Sequence, residues 1–147
     1  MKNSKKIFWA KPSIKEEEIS AITKVAKSNW MTQGSVTQQL EKNLCKKFNV
    51  KNAVVTNNGT SSLICALLAH GIKPGDEVLV PSFTFVSTVN SILSIGAKPV
   101  LVDSNSRTFN TEIKFLKQKM SKKTRAIMPV DVSGMPVDIS EMNVLEL

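Results

Sequence analysis

The sequence predicts an α/β layer sandwich built on parallel strands, and two observations carry this. From residue 52 onward, short β-prone runs alternate with helical segments long enough to serve as right-handed crossovers. Glycine and proline signals punctuate the joins, at Gly71, Lys73-Pro74-Gly75-Asp76 and Gly96. Composition agrees: 41% hydrophobic and 22% charged residues lie in the globular range and exclude disorder or a disulfide scaffold as whole-chain readings.

Taken in order, Ser13-Ile14-Lys15-Glu16 has the spacing of a capping box, and Ile14, Ile19, Ile22, Val25 and Ala26 fall largely on one helical face. A helix over about 13–28 follows. After a turn at 29–35 with Gly34 as its flexible point, Val36, Leu40, Leu44 and Phe48 recur at fourfold spacing and predict a second helix ending near Phe48. Strands are predicted at 53–56, 77–81, 99–103 and 126–130. Between them lie helices at 60–71, with Leu63, Ala66, Leu67 and His70 on one face, and at 84–95. Asn110 is read as the cap of another helix, containing Ile113, Leu116 and Lys117. Asp138, Ile139 and Met142 read as the opening of one more, so the chain is expected to stop inside an unfinished crossover. Residues 1–51 form the expected N-terminal helical segment, and 52–147 the first, incomplete part of a larger domain.

The net charge of +8 is concentrated at one end, because residues 1–51 hold eleven Lys/Arg against four Asp/Glu while 52–110 hold three of each. A solvated basic helix face explains this more simply than nucleic-acid binding, and neither nucleic acid nor membrane is an expected partner. No apolar run approaches the length of a membrane helix, and residues 1–11 lack the core of a signal peptide, which points to a cytoplasmic protein. Cys45 and Cys65 sit in apolar-periodic stretches and are expected as buried thiols. With one histidine and no HExxH, GxSxG, GxGxxG or GxxxxGK[ST], metal and triad chemistry have no support.

Chemistry is instead suggested where a strand runs into a glycine turn and a helix, Val55-Thr56-Asn57-Asn58-Gly59-Thr60-Ser61. Gly59 permits close approach of an anion to the backbone, while the helix-start N–H groups and the Thr60 and Ser61 hydroxyls can donate to phosphate oxygens. The same residues serve equally as an ordinary strand-to-helix turn with a Thr or Ser cap. A second loop, Ser82 to Thr88, leaves the next strand at the C-terminal edge, where open α/β sheets bind ligands. There Phe85, on the first helical turn, can lay its ring on a planar ligand; the alternative is that Phe83 or Phe85 packs in the core. A phosphate cradle beside a stacking aromatic suits a flat phosphorylated cofactor.

The run NNGTSSLICALLAHGIKPGDEVLVPSFTFVSTVNSILSIGAKPVLVD, followed by KKTRAIMPVDVSGMPVDI and preceded by SNWMTQGSVTQQLEKNL, resembles the DegT/DnrJ/EryC1/StrS family of pyridoxal-phosphate-dependent sugar aminotransferases. The resemblance implies part of a fold type I large domain: a three-layer α/β/α arrangement, mostly parallel and here truncated. It also implies a pyridoxal 5′-phosphate cofactor, a homodimer, and amino transfer from an amino acid, usually glutamate, to a nucleotide-linked keto sugar. Gly59, Thr60 and Ser61 match the family's phosphate-binding turn, and Phe85 its ring-stacking aromatic. The Schiff-base lysine and the acidic partner of the ring nitrogen are expected beyond Leu147, so this chain carries no catalytic residue and is expected to be inactive alone. The dehydratase branch of the family is the near alternative. Asp131 stands where many members have histidine.

Overall fold

The computed structural model describes Phe8 and residues 10–142, which divide into two compact units, one up to Val55 and one from Thr56. In the first unit, α1 (Glu16–Lys27) places Glu16, Glu17 and Glu18 in its first turn and Lys24 and Lys27 in its last, complementing the helix dipole at both ends. The start expected at Ser13 is not formed. Lys15 occupies the cap, and its N–H donates to Glu18 Oε2 at 2.7 Å, so the reciprocal bond is closed two residues later than predicted. Three consecutive glutamates all reach the positive end only with this later start.

The second helix, α2 (Ser35–Phe48), ends where Asn49 turns left-handed at φ 51°, a conformation Asn tolerates better than most residues. Beyond it, residues 53–56 form no strand and pair with none among the described residues, which corrects the strand predicted there. The Val55 N–H donates to the Glu41 carboxylate at 3.1 Å instead of to a neighbouring backbone. Cys45 is half-buried, with its thiol 3.8 Å from the Lys51 carbonyl, and Cys65, in the second unit, is exposed; neither is the buried thiol expected from its apolar surroundings.

In the second unit, α3 (Gly59–Ala69) is followed by β1 (Glu77–Pro81), α4 (Val86–Ser94), β2 (Lys98–Val102), α5 (Ile113–Lys119), β3 (Thr124–Ile127), a 3₁₀ turn at Val132–Gly134 and α6 (Ile139–Met142). Gly71 takes φ +74° just after α3, the left-handed stop that its sequence position predicts. The three strands form one parallel sheet in the order β2-β1-β3. β3 begins two residues and ends three residues earlier than predicted, and its register shifts against β1 between Glu77 and Val78.

Every residue of β1 is buried, because it is the central strand and is covered on both faces. Val78 and Val80 point to one face, where they pack with Leu67 of α3, Ile92 of α4, Ile72 and Ala97. Leu79 points to the other, against Val102 and Leu116 of α5. Crossovers of constant hand require this division. The chain moves from β1 to β2, then back across β1 to β3, so its two connecting helices must lie on opposite faces. On edge strand β2, the Lys98 N–H donates to Asp76 O at 2.8 Å, which aims the next residue, Pro99, at the outer edge.

The N-terminal end of the sheet is tied by Glu77, only 8% exposed on β1. Ser121 Oγ donates to its Oε2 at 2.6 Å and Lys98 Nζ to its Oε1 at 3.0 Å, so one carboxylate joins β1 to β2 and to the approach to β3. First Ser121 and then Lys98 hold the Glu77 carboxyl below its ordinary value of 4.5, against an opposing effect of burial. Because the folded pKa is the lower one, the unfolded chain binds more protons as pH falls below 4.5. The stabilisation is therefore complete above that value and is lost as pH falls through the lowered pKa. We expect the urea midpoint to drop on acidification over that range, and Glu77→Gln to flatten the drop while Glu112, also lowered, keeps its own contribution. A Glu77→Gln profile as steep as the wild type would contradict this.

Candidate functional site

The glycine turn is built by Asn58, a residue to which sequence reasoning assigns no role. It caps α3, its Oδ1 accepting the Ser61 N–H at 2.9 Å, and its carbonyl accepts the Ser62 N–H at 3.2 Å. Such a cap is worth about 1 kcal/mol. A signal exists in the sequence, since Asn ranks among the strongest capping residues and stands three positions before Ser61. Its consequence is chemical: the Thr60 and Ser61 hydroxyls are not spent on the cap predicted for them.

Thr56 Oγ1 and Ser62 Oγ pair with each other at 2.6 Å, but the side chains of Thr60 and Ser61 carry no hydrogen bond among the described residues. The backbone N–H groups of Gly59 and Thr60 are likewise without acceptors there. Apart from the adjoining residues and the helix's own backbone, a Cβ built on Gly59 would meet no atom within 4 Å, so the space beside the glycine is open. Four donors thus stand free at the start of one helix, beside a glycine with open space next to it. This is the donor set a phosphate dianion requires, and a pyridoxal phosphate group fits it.

Phe85 lies at the C-terminal edge of the parallel sheet, on the loop leaving β1. It occupies the cap position of α4, not the first turn predicted for it, and it is 75% exposed. Phe83 is 51% exposed, so neither ring enters the core. α3 and α4 pack against one another on the same face of the sheet, and Gly59 to Ser61 and Phe85 occupy the starts of these two helices.

Phe83 stacks on Phe109, with ring centroids 4.9 Å apart and planes tilted by 31°. Phe109 belongs to the loop after β2, which is joined to the loop after β1 by the Ser82 N–H donating to Val102 O at 2.8 Å. Its φ of 61° is left-handed, which costs a bulky residue on the order of 1–3 kcal/mol. Asn105 holds it there. Its carbonyl accepts the Phe109 N–H at 2.8 Å, its Oδ1 accepts the N–H groups of Arg107 and Thr108, and its amide donates to Glu112.

Asn110, predicted to cap α5, does not do so, because Glu112 takes the cap position. Instead, the buried Asn110 side chain donates to Met135 O at 2.9 Å and accepts the Val132 N–H at 3.1 Å, fastening the loop to the 3₁₀ turn. Asp131 Oδ1 accepts the Val137 N–H at 2.9 Å, a structural bond in the same region. His70 is exposed, with its Nδ1 2.8 Å from Ala66 O. No group of three or more His, Cys, Asp or Glu is placed to hold a metal among the described residues, and no helix among them is long and apolar enough to cross a membrane.

The sequence profile of the DegT/DnrJ/EryC1/StrS aminotransferase family matches residues 12–146. Among solved structures, Streptococcus pneumoniae Spr1654, assigned as a sugar aminotransferase, is 33% identical at a TM-score of 0.87 in both its PMP and PLP forms, over 93% of this chain and 35% of that one. The aminotransferase from Psychrobacter cryohalolentis is 32% identical at 0.86, over 93% of this chain and 35% of its own. Bacillus subtilis NtdA with bound cofactor PMP is 30% identical at 0.82, over 88% and 31%. This chain spans about a third of the length of these structures. The α/β architecture with its parallel sheet is theirs, and the chain belongs to the DegT/DnrJ/EryC1/StrS aminotransferase family.

Proposed function

We propose that this chain supplies the phosphate and ring contacts of a pyridoxal-phosphate-dependent aminotransferase that acts, as a cytoplasmic homodimer, on a nucleotide-linked keto sugar with an amino acid donor such as glutamate. The observation that carries the reading is the start of α3, where two N–H groups and two hydroxyls are free and the space beside Gly59 is open. Family membership and the PLP and PMP forms of Spr1654 support the same cofactor. When bound, pyridoxal phosphate supplies an aldehyde that accepts an amino group and a ring that draws off electrons.

The residues of this chain bind and orient. Gly59 and Thr60 N–H groups, with the Thr60 and Ser61 hydroxyls, hold the phosphate, and the positive end of α3 favours its charge. Asn58 keeps that helix start in place through Ser61. Phe85 covers one face of the pyridine ring and excludes water from it. The test is a titration of the chain with pyridoxal phosphate, followed by absorbance, with and without inorganic phosphate. Saturable binding that phosphate displaces is expected; binding indifferent to phosphate, or none, overturns the assignment.

A further inference from the structure

We infer that Phe109 is a positioning residue for the cofactor ring, acting through Phe83 on the loop that carries Phe85. The inference rests on the preceding reading for the role of Phe85, but on contacts which that reading does not use. A bulky residue keeps a left-handed backbone only where its surroundings hold it there, and such strain gathers at functional sites. What the strained turn at Phe109 secures is the stack of its ring on Phe83. Neither ring joins the cores on the two faces of the sheet, and both stay about half exposed, so the stack is not a core contact.

The loop from β1 to α4 shows what the stack does. It is tied at both ends, where the Ser82 N–H donates to Val102 O at 2.8 Å and Phe85 O accepts the Thr88 N–H at 3.0 Å. Between these ties the backbone of Phe83 and Thr84 makes no hydrogen bond among the described residues. Side chains hold this stretch instead: Thr84 Oγ1 pairs with Oγ1 of the buried Thr88 at 2.9 Å, and Phe83 leans on Phe109. The exposed Phe85 ring has no aromatic partner of its own among the described residues, so its place is set by the loop beneath it. A loop already braced has less ordering to lose when a planar ring binds, and bracing therefore raises affinity without a new contact to the ligand.

The experiment is absorbance titration of the full chain with pyridoxal phosphate, with inorganic phosphate as competitor, on the wild type, Phe109→Gly, Phe85→Leu and the double variant. Glycine takes the left-handed conformation freely, so Phe109→Gly deletes the ring and keeps the turn. It is expected to weaken pyridoxal phosphate about two- to tenfold, the range that an aromatic contact supplies, and to leave inorganic phosphate affinity unchanged. In the Phe85→Leu background the same substitution is expected to have no further effect, because its route to the cofactor ring is already gone. A general loosening of the fold would instead weaken both ligands and add to the effect of Phe85→Leu. Phe109→Tyr, which keeps the ring, is expected to bind like the wild type. If Phe109→Gly fails to fold by circular dichroism, Phe83→Leu removes the stack from its other side and is read in the same way. Unchanged pyridoxal phosphate affinity in Phe109→Gly, or additive effects in the double variant, overturn the inference. Phe85→Leu binding like the wild type overturns the preceding reading of Phe85 together with this one, whereas a weakened Phe85→Leu beside an unaffected Phe109→Gly counts against this one alone.

Discussion

Gly59→Val is expected to reduce the affinity of the chain for pyridoxal phosphate by about ten- to a hundredfold while leaving the fold in place. The two halves of this expectation have separate causes. Apart from the adjoining residues and the helix's own backbone, nothing lies within 4 Å of a Cβ at this position, so the branch point of the new side chain has room. Valine has a higher helix propensity than glycine, so the exchange costs nothing on that account. The valine methyl groups occupy the space into which a phosphate oxygen must come to reach the Gly59 and Thr60 N–H groups. Each charge-assisted hydrogen bond lost is worth about 1.5–3 kcal/mol, which is about a factor of ten or more in affinity. The measurement is the absorbance titration alongside a urea midpoint, with Gly59→Ala as the intermediate case. A valine variant that binds like the wild type would show that phosphate does not use this turn.

The second large effect concerns stability. Leu79→Ala is expected to destabilise the second unit by about 2–5 kcal/mol, a large share of the roughly 5–15 kcal/mol typical of a whole protein. Leu79 is completely buried at the middle of the central strand, where it packs on Val102 and Leu116. Truncation there removes favourable burial and leaves a cavity that strands fixed on both sides cannot close. Leu101→Ala is the control, since Leu101 lies on the edge strand and is 54% exposed. It is expected to cost less than about 1 kcal/mol. Urea unfolding at constant slope distinguishes the two variants, and equal midpoints would refute this account of the core.

What can be read from the sequence depends on how local the cause is. β1 is legible because Val78, Leu79 and Val80 form an unbroken apolar run behind a turn, the pattern of a strand covered on both faces. Residues 53–56 have similar composition, yet a strand exists only as half of a pair, and composition says nothing of whether a partner is present. Asn110 escapes sequence reasoning for a related reason: its bonds go to Val132 and Met135, more than twenty residues away, where no spacing rule reaches. The turn at Gly59 is legible in outline, but its cap belongs to Asn58 and not to the Thr60 or Ser61 that the turn chemistry suggests. The Phe83–Phe109 stack joins loops that follow different strands and leaves no sequence signal.

The outward-facing Pro99 makes the two borders of the sheet unequal. On β2, one of the two outward positions that would offer an N–H to an arriving strand is this proline and has none, so accretion on that side lacks a bond. On β3, the Met128 N–H turns inward to Leu79 O at 2.9 Å, which leaves the preceding Ile127 with its donor and acceptor facing out. The sheet thus has a polarity of growth: a further strand is accepted beside β3 and discouraged beside β2, whether it comes from the same polypeptide or from another molecule.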